Sequence, residues 1–138
     1  MVNVERLEKL ANHLLSGKLG HETFNFGVYN VGGRANLNEC GTQGCAIGEC
    51  PVIWPNDWAY VDSLPTLRIL GSDPHEGSIT TSIAGRAFFH LTAGEYEYLF
   101  IPGNETNNRR NALSQYASKE DVANRILRFC EIVKEESL

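Results

Sequence analysis

The chain has 138 residues, of which 42% are hydrophobic and 21% are charged, with 13 Gly and 5 Pro. This composition predicts one ordinary globular domain over residues 1–138 and excludes a disordered chain. Twelve Lys and Arg against 17 Asp and Glu give a net charge of −5, which argues against binding to nucleic acid. No apolar run reaches the length of a membrane span and no signal-peptide pattern opens the chain, so we expect a cytoplasmic protein without a membrane partner.

The first part of the chain predicts a helix. Apolar residues recur there at helical spacing between polar ones: Val4, Leu7, Leu10, Ala11 and Leu14. Asn3 suits the N-cap of this helix, and Gly17 suits its C-terminal end. His13 falls towards the polar side, so we expect it to be a solvated surface residue.

A short β element is predicted near residues 23–33. Phe24, Phe26 and Val28 alternate there with smaller or polar residues, and a glycine-containing turn follows. This is the only strand that the alternation pattern predicts.

Three prolines restrict the secondary structure that is predicted for residues 51–72. Long helices are disfavoured there by Pro51, Pro55 and Pro65. We therefore expect short helical turns and irregular chain, with Trp54 and Trp58 as core anchors.

Two helices are predicted between residues 73 and 101. An N-cap pattern at Asp73 and Pro74 predicts the start of the first. Its buried stripe is expected in four-residue steps at Ile79, Ile83, Ala87 and Leu91. Thr92 and Glu95 form a capping box that opens the second, shorter helix.

The best-supported helix begins near Ser118. Its buried stripe is expected at Val122, Ile126, Phe129 and Val133, with Cys130 beside it as a small buried hydrophobe. These patterns together predict a mainly α (α+β) fold, a single compact domain of about four helices with the short β element near residues 23–33.

Three of the four cysteines fall in one glycine-containing segment, residues 39–51. All four, Cys40, Cys45, Cys50 and Cys130, are expected to be thiols because the expected compartment is reducing. Thr42 suits the cap of a helix beginning at Gln43, which would place Cys45 in its first turn. Backbone N–H groups at such a position stabilise a thiolate or bind a small anion.

Three interpretations of this segment compete. The first is packing, in which the cysteines are buried and the glycines allow close contact. The second is zinc, but the spacing lacks the two-residue knuckle of structural zinc sites, so we predict no metal and no cofactor. The third is a hydrolase, in which Cys45 is the nucleophile and His75 or His90 is the base.

The hydrolase is the less favoured functional interpretation, since both histidines lie in helical patterns. A non-enzymatic anion site is favoured over it, and its predicted ligand residues are Cys40, Thr42, Gly44 and Cys45, with Arg34 and Arg86 as cationic partners.

Three segments carry a resemblance to known proteins: Phe26-Gly-Val-Tyr29, Cys40-Gly-Thr-Gln-Gly-Cys-Ala-Ile-Gly48, and Phe88-Phe-His-Leu-Thr92 with its following helix. In these the chain resembles a group of small bacteriophage and bacterial proteins that share a C-G-T-x-x-C-x-x-G core. The resemblance covers about the middle half of the chain, and it departs from the group at Glu49, Cys50 and Pro51. The group has no established activity, so it supplies no site residues.

The resemblance implies a phage setting, in which small accessory proteins often act by binding. We therefore expect an anti-defence or host-takeover factor that inhibits a host protein or sequesters a small anionic, nucleotide-like ligand. A homo-oligomer is compatible with the sequence.

Overall fold

The structure, a computed structural model, describes residues 1–19, 23–24, 43–44, 46–61, 64–67, 79–101 and 117–136. These ranges contain five α-helices: α1 (Val4–Ser16), α2 (Cys50–Ile53), α3 (Thr81–Phe89), α4 (Ala93–Phe100) and α5 (Lys119–Glu136). A single 3-10 turn, Ile47–Glu49, leads into α2. The predicted mainly helical class is confirmed, since four of these helices have at least eight residues and α2 adds one turn.

Within the described ranges, two small sheets accompany the helices. One is a parallel pair, β1 (Thr23–Phe24) and β2 (Gln43–Gly44). The other is antiparallel in the order β3-β4-β5, with strands Trp58–Val61, Leu64–Leu67 and Ile79–Thr80. Of the predicted β element near residues 23–33, the structure describes only Thr23 and Phe24, which form β1.

The expectation of irregular chain over residues 51–72 is right for the single turn of α2 and wrong for β3 and β4. Pro65 lies in β4, the middle strand, where its missing N–H would normally break a ladder. It pairs with Tyr60 of β3, while the short β5 pairs only with Thr66 and Leu67. The proline therefore lies beyond the β5 ladder, which explains why a strand forms here.

The stripe predicted for the helix after residue 73 is wrong in its placement of Ile79 and in the burial of Ile83 and Ala87, whereas Leu91, which follows the helix, is buried. Ile79 belongs to β5, where it pairs with Leu67, so the helix begins only at Thr81. The side chain of Ile83 is 60% exposed, and Ala87 is exposed as well. The buried positions are instead Ala84, Gly85, Phe88 and Phe89. The N-cap pattern at residues 73–74 lies outside the described residues.

Helices α1 and α5 run antiparallel. At one end Lys119 Nζ donates to the carbonyl of Leu14 over 3.3 Å, and at the other Lys134 Nζ lies 2.6 Å from Oε2 of Glu8. Their facing sides are buried: Leu7, Leu10, Ala11 and Leu14 from α1, and Val122, Ala123, Ile126 and Cys130 from α5. Burial of Cys130 is confirmed, whereas Phe129 and Val133 are only half-buried.

Aromatic side chains form the other part of the core. The Phe88 ring lies 4.8 Å from that of Trp54 and 5.4 Å from that of Trp58, both edge-on. Phe89 stacks on Phe100 of α4 at 5.8 Å. Edge-to-face and offset stacked pairs are the favourable geometries for such rings. Trp58 is a buried core residue, as predicted, and the half-buried Trp54 packs against the core.

Helix α4 begins at the predicted capping box. The Thr92 N–H donates to Glu95 Oε1 over 2.8 Å, and the Glu95 N–H donates to Thr92 Oγ1 over 3.2 Å. This fixes the start of α4 so that Tyr96 reaches α3 at Gly85. A Cβ atom at Gly85 would lie 2.5 Å from Cε2 of Tyr96, so only glycine allows this approach.

We predict that Gly85→Ala destabilises the protein by about 1–3 kcal/mol, because the added methyl group overpacks the contact with Tyr96. Urea unfolding measures the change. The matched control is Gly94→Ala in α4, where a Cβ meets nothing within 4 Å. The control should be neutral or stabilising by less than about 1 kcal/mol, and equal losses in both variants would contradict the close-contact argument.

Candidate functional site

The described residues include three of the predicted site residues: Gly44, Arg86 and His90. The others lie outside the described residues: Arg34, Cys40, Thr42, Cys45 and His75. The predicted anion site and the alternative Cys–His pair therefore stay predictions, and the structure bears on them through the elements that flank Cys45.

The helix expected to begin at Gln43 does not form there. Gln43 and Gly44 are the two residues of β2, and they pair in parallel with Thr23 and Phe24. Helical structure begins at Ile47. Glycine has a poor helix propensity and strand pairing satisfies the backbone, which explains the difference.

Directly after Cys45 the chain enters a fully buried stretch, residues 46–51, which we call the anchor turn. The Glu49 N–H donates to the carbonyl of Ala46 over 3.1 Å, and Cys50 Sγ lies 3.9 Å from the same oxygen. These local contacts close the turn on itself. The segment that carries the predicted ligand residues thus ends in the protein core.

A charged residue lies inside the anchor turn. The side chain of Glu49 is 0% exposed, and its Oε1 lies 2.7 Å from Nε2 of His13, which is 17% exposed. Burying a carboxylate is costly unless a partner and hydrogen bonds compensate. The expectation that His13 is a solvated surface residue is therefore wrong, because its ring compensates this buried group.

Sequence reasoning missed Glu49, although one signal was present. It is the only acidic or basic residue between Cys40 and Asn56. A lone charge in an otherwise uncharged segment of Gly, Cys and Ile predicts a buried, partnered group. Its partner, 36 residues earlier in α1, has no counterpart signal in sequence.

The hydrogen bond between Glu49 and His13 has a defined direction. While Glu49 is ionised it can only accept a hydrogen bond, so the proton between the two atoms belongs to Nε2 of His13. A carboxylate that holds an imidazole in this way fixes its ring orientation and tautomer. The pair ties α1 to the anchor turn, which directly follows Cys45 in the chain.

Arg86 lies on α3, and His90 is the first residue after that helix. Arg86 is exposed, and its neighbour Gly85 lies against the anchor turn, with Cδ1 of Ile47 3.4 Å from where its Cβ would be. The helix that carries Arg86 thus borders the anchor turn. His90 follows α3 with φ 55, and its Nδ1 lies 3.2 Å from the carbonyl oxygen of Met1.

The two described cysteines are buried thiols. Burial, and then the negative charge of Glu8, raises the pKa of Cys130 to about 11. Cys50 is 0% exposed. Within the described ranges, no three His, Cys, Asp or Glu side chains are grouped so as to hold a metal ion. No helix in those ranges is both long and apolar enough to cross a bilayer.

Comparison with known proteins adds no identification. No protein family, curated protein or solved structure matches this chain. The resemblance to the phage-type group therefore stays a prediction.

We predict that His13→Ala destabilises the protein by on the order of 3 kcal/mol, because it leaves the Glu49 carboxylate buried without this partner. Denaturant unfolding of His13→Ala, Glu49→Gln and the double variant forms a double-mutant cycle. The double variant should lose less than the sum of the single losses. Asn12→Ala, an exposed position on the same helix, is the control, and additive losses would contradict the coupling.

We also predict that iodoacetamide at neutral pH leaves Cys50 and Cys130 unmodified in the folded protein, because both are buried and the raised pKa keeps Cys130 protonated. Peptide mass spectrometry gives the labelling rate at each cysteine. Cys130 serves as the internal reference for Cys45. A Cys45 rate no faster than in the denatured chain would end the hydrolase hypothesis, and fast labelling of Cys130 would contradict its buried position.

Proposed function

We propose that this chain is a phage-type accessory binding protein, an anti-defence or host-takeover factor without catalytic activity. It would act by inhibiting a host protein or by sequestering a small anionic, nucleotide-like ligand. The binding segment is residues 40–45, with Arg34 and Arg86 as the cationic partners.

The observation that carries this proposal is the anchoring on both sides of Cys45. Before it, Gln43 and Gly44 are held by pairing with β1. After it, the anchor turn is buried and tied to α1 through Glu49 and His13. Binding residues are typically presented on short connections that a rigid scaffold positions, and Cys45 lies between β2 and the buried anchor turn in the chain.

The surroundings of the anchor turn supply a second, weaker support. Helix α3 borders the turn at Gly85, and the next residue, Arg86, is exposed. An exposed guanidinium suits an anionic group because it attracts the charge, and glycine in a binding segment allows a ligand to approach the backbone closely.

We predict that Gly44→Ala and Thr42→Val abolish capture while the fold is retained, since the first crowds the backbone and the second removes a hydroxyl donor. The tagged chain is purified from phage-susceptible bacteria, and its native mass is compared with its denatured mass. Additional mass that is lost on denaturation identifies a small ligand. A protein that co-purifies, and that binds again when the two purified proteins are mixed, identifies a protein partner.

Gly94→Ala is the control for this experiment, because its added Cβ contacts nothing within 4 Å. Retention of the same ligand or partner by Gly44→Ala and Thr42→Val would place the binding site elsewhere. A chain that carries neither a ligand nor a partner would overturn the proposal.

A further inference from the structure

One flank of α5 carries a stripe that differs from its buried face. Four residues follow one another there at spacings of four, three and four: Arg125, Phe129, Ile132 and Glu136. We call this stripe the α5 seam. Phe129 and Arg125 are half-buried, Glu136 is exposed, and Ile132 is 38% exposed, which is high for a large apolar side chain. The spacing matches that of helix pairs that pack along a seam.

Helix α4 adds an aromatic residue to the seam. The Tyr98 side chain is 40% exposed, and its ring lies 6.5 Å from that of Phe129. The Arg125 guanidinium lies 4.3 Å from the centre of the Tyr98 ring and donates to the Tyr98 carbonyl over 3.1 Å. Tyr, Phe and Arg held in this way are the residues that dominate protein interfaces.

The order of residues along the seam is self-complementary. The cation is at one end, the anion is at the other, and the two apolar residues lie between them. An antiparallel copy related by a two-fold axis between Cys130 and Glu131 would set Arg125 against Glu136 of the second copy. The same axis would set Phe129 against Ile132 of the second copy. Opposite charges and apolar groups therefore meet along the whole stripe, as an isologous interface requires.

We propose that the α5 seam is a homodimer interface, in which two α5 helices pack antiparallel. The charge order argues for a second copy. A partner on the seam must place an anion opposite Arg125, apolar groups at the centre and a cation opposite Glu136. A second, antiparallel α5 places all of these groups correctly. The seam spans 11 residue steps, or about 16 Å of helix. It shares no residue with the segment at 40–45, so this inference goes beyond the proposed binding function.

Sedimentation across a concentration series tests the dimer, with an expected mass of twice 15.3 kDa. Arg125→Glu and Glu136→Arg should each weaken self-association at least about tenfold, because each places like charges opposite one another. An equal mixture of the two variants should associate again, since the heterodimer restores opposite charges at both ends of the seam. Glu136→Arg also covers the case in which Arg125→Glu disturbs the fold through Tyr98.

Arg128→Glu and Glu135→Arg are the matched controls, because both residues are exposed on α5 outside the seam. They should leave the dissociation constant within about threefold of the starting value. The proposal is overturned by a monomer at every concentration, by a higher oligomer, or by a dimer that all four variants leave unchanged. It is equally overturned if the mixture stays monomeric. None of these results depends on whether the protein captures a host partner.

Discussion

The fully buried carboxylate of Glu49 imposes a constraint on everything packed around it. A charge without exposure is tolerated only where hydrogen-bonding partners are held in place, and the imidazole of His13 is one such partner at 2.7 Å. Helix α1 must therefore keep a fixed position against the anchor turn. The same turn touches α3, where Ile47 borders Gly85, so the contact between α1 and the turn also positions α3.

Helix α1 connects to the remaining elements through polar contacts at its surface. Arg6 donates to the carbonyl of Phe88 over 2.8 Å, and its guanidinium lies 4.1 Å from the centre of the Phe88 ring. The Asn3 N–H donates to the Phe89 carbonyl over 2.9 Å. These donors satisfy carbonyl groups at the C-terminal end of α3, where the helix dipole favours positive charge. A single helix thus organises the anchor turn, the end of α3 and the buried face of α5.

The parts of the fold that follow local rules could be predicted, and the parts set by distant contacts could not. Periodicity gave the buried face of α1, and the capping box gave the start of α4, because neighbouring residues decide both. The assignment of Ile79 to a helix was wrong, since Ile79 pairs with Leu67 of β4 and α3 begins at Thr81. The partnership of His13 with Glu49 spans 36 positions and follows from tertiary packing alone.

The two surfaces with proposed roles depend on α1 in different ways. The anchor turn, which follows residues 40–45 in the chain, is bound to α1 directly through the His13–Glu49 contact. The α5 seam uses helix positions other than those buried against α1, and its side chains are organised by α4 through Tyr98. A dimer formed through the seam would leave the His13–Glu49 contact intact in each copy. Two identical binding segments would then be joined in one molecule, and such joining raises avidity for a partner with repeated sites without any new contact.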